Sequence, residues 1–185
     1  MTTLKLGENL VDAMIAKLKA GLDARIDAIN LEKADAITVE KPKKTGGASL
    51  DGSSYYTGGA GPAIPDDGIP AIIVAEGIAE YQKEGPHAFD FKPLVFLRVI
   101  DQAPEREILD KKLKRLARCV IETLWDDAPK EALVPAGSAA TAIPLAYHLE
   151  LYQSRPGPVS EPDIEVVHWR SHYDVIFRAV QSEGD

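Results

Sequence analysis

Apolar positions recur with a helical period over 8–30 and again over 104–125. In the first run Val11, Met14, Ile15, Leu18, Leu22, Ile26 and Ile29 form one stripe. In the second, Ile108, Leu109, Leu113, Leu116, Ala117, Val120, Ile121 and Leu124 do the same. Spacings of three and four put such residues on one side of an α-helix, so each run predicts a helix with a single buried face. Gly21 falls inside the first at a cost of about 1 kcal/mol relative to alanine. Two runs follow another rule. Positions 71–76 are apolar up to Glu76, as in a strand buried on both faces, and 94–100 is a second strand. The second strand leads through Asp101, Gln102, Ala103 and Pro104 into the second helix. Asp101 reads as part of its N-terminal cap region, with Pro104 near the first turn. Glu105 and Glu107 sit where the helix dipole favours acids. The basic run Lys111, Lys112, Lys114 and Arg115 reads as the exposed side of that helix.

The remaining elements are weaker. A short β-type segment at 36–40 ends at Pro42, and 77–90 reads as a polar connection. The C-terminal third reads as a hairpin. One strand covers 143–152, and Ser154, Arg155, Pro156, Gly157 and Pro158 break it. The other covers 164–180, where Trp169, Tyr173, Val175 and Phe177 share a face by two-residue alternation. That stretch is longer than an ordinary strand, which predicts a bulge or bend near Arg170, Ser171 and His172. Together these elements predict one α+β domain over 1–185. Its sheet is mixed and mostly antiparallel, flanked by two long helices, with a long Gly-rich loop and a C-terminal β-hairpin. The tract 128–163 is a candidate insertion into it.

Residues 43–62 have no period and carry glycines at 46, 47, 52, 58, 59 and 61. The composition predicts a flexible loop. A loop of this length in a compact domain usually binds something or is disordered. Phosphate cradling is disfavoured, because Lys43 and Lys44 precede the glycines and a strand follows, the reverse of a P-loop. A partner-binding loop fits better. Tyr55 and Tyr56 would be its aromatic anchors and Gly58 and Gly59 the adaptable backbone beside them.

Charge and composition narrow the function classes. The chain has 185 residues and a net charge of −8, with a pI near 5.0. A general nucleic-acid binder needs a basic surface, so that class is disfavoured. The lone cysteine, Cys119, lies among Leu116, Val120 and Ile121 and reads as core; it cannot form an internal disulfide. No run approaches the ~20 apolar residues of a membrane helix, and the first residues lack the apolar stretch of a signal peptide. A soluble protein made in a cytoplasm is expected, with no membrane partner.

Catalytic and metal constellations are thin. His168 and His172 share a face of a predicted strand, but roughly 13 Å apart by strand rise, too far for one metal ion unless the strand bends. His148 would come nearer only through the hairpin, and His87 lies in the connection. No serine stands in a nucleophile elbow. The densest carboxylates, Asp126 with Asp127 and Glu161 with Asp163, read as solvated surface. No catalytic, cofactor or metal residue is assigned from the sequence.

The order of elements is helix, short strand, flexible loop, two strands, helix, terminal hairpin. Across 8–30, 70–76, 93–125 and 164–180 this layout resembles the tail-terminator and head-to-tail joining (neck) proteins of long-tailed bacteriophages. The resemblance implies a structural virion protein without enzymatic activity or cofactor. It would form a ring, usually a hexamer, at the tail end or head–tail junction, after assembly in the host cytoplasm. Its partners would be further copies of itself, the tail-tube protein and head connector proteins. DNA would pass through the ring without sequence-specific binding, which a net charge of −8 suits. The family carries no motif from which site residues could be transferred. Two other readings stand beside it: a small α+β enzyme or ligand-binding domain with 43–62 as a lid, and a bacterial adaptor or regulatory protein.

Overall fold

The computed structural model describes residues 3–33, 35–47, 49, 51–58, 64–77, 80–83, 89–125, 148–162 and 167–180. Both predicted helices form, α1 at Thr3–Glu32 and α2 at Arg106–Leu124. The strands are β1 (Tyr55–Thr57), β2 (Ala71–Glu76), β3 (Glu80–Lys83), β4 (Phe89–Lys92), β5 (Leu94–Ala103), β6 (His148–Ser160) and β7 (Trp169–Val180). Five of them make one sheet in the order β1-β2-β5-β7-β6; β3 and β4 pair separately, with β3 and the start of β4 inside the stretch 77–90 read as a polar connection. Only the β1–β2 pairing is parallel within the five-stranded sheet. The architecture is the expected α+β sheet with a C-terminal hairpin, β6–β7.

Both helices lie on one face of this sheet. α1 packs on α2 and β2, and α2 packs on β5 and β7. The core sits between them. Leu10, Met14, Leu18, Leu22 and Ile26 come from α1, and Leu109, Leu116 and Val120 from α2. They meet Ile72, Val74, Val95, Leu97, Val99, Val175 and Phe177 from the alternating inward positions of the strands. Gly21 has a packing reason. A Cβ there would lie 3.1 Å from Thr123 Cγ2, so the missing side chain lets the helices approach. On the opposite face a smaller cluster of Tyr56, Ile64, Ile69, Ala71 and Ile73 covers β2. This explains why β2 is apolar on both sides.

Several expectations need correction. The segment at 36–40 is not a strand. Asn30 holds it to α1, accepting from Val39 N at 2.9 Å and donating to Val39 O at 3.0 Å. Within 43–62, Tyr55–Thr57 is a strand, with Tyr55 and Tyr56 buried. The preceding turn is tied down by Lys19 Nζ to Asp51 at 2.5 Å, Ser54 N to Lys43 O at 2.7 Å, and Asp51 oxygens that accept from Ser49 and Ser53. Those bonds hold the Asp51 carboxyl well below the usual range, the Lys19 ammonium first among them. Residues 48, 50 and 59–63 lie outside the described set. Asp101 is not a cap. It ends inside β5, fully buried, and accepts from Lys112 Nζ at 3.1 Å. Lys112 is therefore an interior lysine in a run read as exposed, and it also donates to Gln102 O at 3.1 Å. Burial raises the Asp101 carboxyl and the lysine charge opposes that rise.

The last correction concerns the hairpin. β6 begins at His148 and runs straight through Pro156, Gly157 and Pro158, where a break was expected. It lies within the tract read as an insertion; residues 128–147 and 163 of that tract are outside the described set. Proline is tolerated there because β6 is an edge strand, where not every N–H has a ladder partner. The bulges lie in β6, between Leu151 and Gln153 and between Pro156 and Val159; the second stands opposite the Arg170–His172 stretch of β7 where an irregularity was expected.

Leu116 is fully buried at the centre of α2. Leu116→Ala is expected to destabilise by roughly 2–5 kcal/mol, as core Leu→Ala changes do. Chemical denaturation measures it, and an unchanged midpoint would show that this face is not core.

Candidate functional site

Clefts, charge and exposed apolar groups coincide on the described surface at α2 beside the β6–β7 hairpin. Two helices each about 10 Å across cover about four strands spaced roughly 4.8 Å apart. β6 starts in the core with Leu149, and its later part falls beyond them. From Tyr152 to Ser160 every residue but Gly157 is exposed, whichever sheet face it belongs to. Between α2 and this strand runs a cleft of about 640 Å³, with Leu109, Leu113 and Tyr173 in its floor and Pro156, Gly157 and Val159 along the β6 side. A second hollow of about 350 Å³ continues past Tyr173 along Ala117, Ile121 and Trp125. Its charged residues balance. Lys114 pairs with Asp110 and Arg118 with Glu122, at 2.7 and 2.6 Å.

The polar centre lies on the strands. Arg98, Asp174 and Arg155 are consecutive partners across β5, β7 and β6. Asp174 is buried and accepts two bonds from Arg98, Nε at 2.8 Å and Nη2 at 3.2 Å. Arg155 Nε stands 3.9 Å away and His172 Nε2 3.7 Å away. The bidentate guanidinium thus holds the carboxylate, and two weaker neighbours flank it. Burial lowers the His172 pKa, Arg98 and Arg155 lower it further, and Asp174 opposes them; the imidazole is neutral at neutral pH. Its ring occupies the place a side chain at Gly157 would take, since a Cβ there would lie 2.0 Å from Nε2.

Of the residues singled out from the sequence, few meet here. Tyr55 and Tyr56 lie at the opposite end of the sheet, packed in this chain's own two clusters. Any contact at that edge would use the backbone of β1, exposed Thr57 and Gly58 (φ +120°), not free aromatic anchors; Gly59 is outside the described set. His148 pairs with Val180 in the register that sets His172 against Ile100, so the two histidines lie far apart along the hairpin. Among the described residues no group of three His, Cys, Asp or Glu side chains is placed to hold a metal ion. The Cys119 thiol is fully buried and pushed up to about 11, by burial first and Glu122 second. It has no thiolate character at neutral pH. The Arg98–Asp174–Arg155 row was missed in the sequence. Strand alternation could place Asp174 on the face opposite Val175 and Phe177, but nothing local announces its partners, far away in the chain.

The two arginines should weigh differently. Breaking a buried ion pair costs about 3–5 kcal/mol, and an exposed pair contributes 0–1 kcal/mol. Arg98 is about a third exposed and Arg155 is 61% exposed. Arg98→Ala is expected to cost roughly 2–3 kcal/mol and Arg155→Ala less than about 1 kcal/mol, after discounting for solvent. Equal losses in urea titrations would show that Arg98 does not hold the carboxylate.

No protein-family model matches the chain, and no curated protein matches it. Among solved structures it is similar to a chain of the virion of a native gene transfer agent (GTA) particle, over 88% of this chain and 92% of that one, at 17% identity and a TM-score of 0.32. A likeness at that level carries no weight for function.

Proposed function

We propose that the chain is a structural virion protein, a ring-forming subunit at the tail end or head–tail junction of a long-tailed phage or phage-like particle. One observation carries the assembly half of this reading. The sheet ends in two unlike edges, β1 and β6, each paired on one side only among the described residues. Contact between unlike surfaces of identical subunits is heterologous, and such contacts close into rings when the rotation permits. The strand directions suit it. β1 runs with β2 and β7, and β6 runs against them. A rotation about an axis along the strands sets the next copy's β1 antiparallel to β6 and continues the sheet. The virion half rests on the order of elements noted in the sequence. On this reading the ring closes the tail tube, contacts the tail-tube protein and head connector proteins, and lets DNA through without sequence-specific binding.

A second reading has its own observation. The cleft of about 640 Å³ falls in the range of small-molecule sites. Residues 43–62 as its lid have no support, since the cleft is lined from α2, β6 and β7 alone.

Solution mass separates the two. Six copies of 20.0 kDa make about 120 kDa. Light scattering is expected to show a discrete closed oligomer whose share of the protein rises with concentration. Thr57→Cys together with Gln153→Cys is expected to cross-link copies into a ladder under oxidation. A monomer at every concentration, with no cross-linking, overturns the ring.

A further inference from the structure

We infer that His172 is a proton-sensitive latch on the exposed arm of β6, seating residues 152–160 when its ring is neutral and releasing them when it is protonated. The inference is independent of the ring reading, since it concerns only how one chain holds its own edge strand.

The geometry makes the latch. The second bulge of β6 puts Gly157 and Pro158 between the pairs Pro156–Tyr173 and Val159–Ser171, opposite His172. The imidazole fills the space over Gly157 that any side chain would occupy. The arm is laddered to β7 on either side of the bulge, but Gly157 and Pro158 themselves have no register partner. Neither Pro156 nor Pro158 has an N–H to donate to the ladder. Ser171 Oγ donates to Pro158 O at 2.8 Å and reaches Gly157 O at 3.5 Å. Among the described residues no helix covers the arm, and most of its residues are exposed. The ring's place over Gly157 is therefore a large part of what seats the bulge.

The charges facing the ring decide what a proton does. β5 contributes Arg98, whose partner Asp174 lies on β7, and β6 contributes Arg155. Arg170 is the ring's neighbour two positions back on β7, bound to Asp66 and Ile64 O. From α2, Arg106, Glu107 and Asp110 line the same cleft, but Glu107 is paired with Lys111 and Asp110 with Lys114, both at 2.7 Å. Among the described residues the carboxylate within reach of the ring is Asp174, and Arg98 already holds both of its oxygens. A protonated ring would be a third cation there, and it must either compete for Asp174 or remain beside two arginines. Either way the ring leaves Gly157 and Arg155 is pushed from the carboxylate. The sign follows. The folded-state pKa is lowered, so the neutral ring's contribution is whole above the ordinary imidazole value of about 6.5 and is lost as pH falls below it.

The test is amide hydrogen exchange of the intact chain, with protection factors corrected for intrinsic rates, from about pH 7.5 to about pH 5.5, either side of the ordinary imidazole pKa. Protection at Ser154, Arg155, Gly157, Val159 and Ser160 is expected to drop several-fold on acidification while core amides of β5 hold. The ring carbons of His172 should titrate below ordinary histidine in the same samples. His172→Gln, which cannot gain a proton, is expected to flatten the arm's pH dependence. Gly157→Ala, which expels the ring, is expected to lower arm protection already at neutral pH. An arm whose protection does not change with pH, or which changes equally in His172→Gln, overturns the latch; so does a His172 ring that titrates at or above the ordinary value.

Discussion

The structure depends on a mismatch of widths. A five-stranded sheet is covered on one face by two helices, and two helices span about four strands. α1 and α2 are placed on β2, β5 and β7 because their apolar stripes match the inward positions of those strands. What is left over is β6 beyond Leu151. Its exposure, its prolines and its bulges are consequences of that remainder. An edge strand with no helix above it gains little from apolar side chains, so the polar sequence of 153–160 costs little there. It is also safer with prolines and bulges, which blunt uncontrolled edge pairing.

Such a strand is held by its ladder to β7, to which electrostatic and steric contacts add. The Arg98–Asp174–Arg155 row ties three neighbouring strands at one level of the sheet, with most of the strength in the bidentate Arg98–Asp174 pair. The chain uses the same device on the other face, where Lys112 reaches back from α2 to Asp101 at the end of β5. Both carboxylates are on strands and buried, and both meet a long basic side chain from another element. In each case the cation fixes how one element lies on the sheet. The difference lies in solvent. Lys112 is closed in, whereas Arg155 is open and loosely held, so the outer strand is the one that can shift.

Features set by periodicity were legible in the sequence. The helical stripes located α1 and α2 to within a few residues, and the apolar runs located β2 and β5. Features set by tertiary partners were not legible. Lys112 looked like one more surface lysine, because its neighbours Lys111 and Lys114 are exposed and only the end of β5 makes it interior. Pro156, Gly157 and Pro158 looked like a stop signal, because the rule against proline in strands assumes a strand paired on both sides. Tyr55 and Tyr56 looked like anchors on a glycine-rich loop. Their neighbours in the chain are small and polar, and their packing partners come from α1, β2 and the 64–69 segment.

Charge bears on how copies of this chain can meet. At −8 the chain repels itself at long range. Any association must therefore come from short-range contacts on surfaces where charge is locally balanced. The α2 flank is such a surface: its lysine and arginine are each matched by an acid one turn away. The backbone edges of β1 and β6 are another, since ladder hydrogen bonds carry no net charge. Balanced patches on an acidic body favour contacts that are few, specific and directional over general aggregation. That is the requirement a subunit meets if it must remain soluble at high concentration and still close a ring in one register.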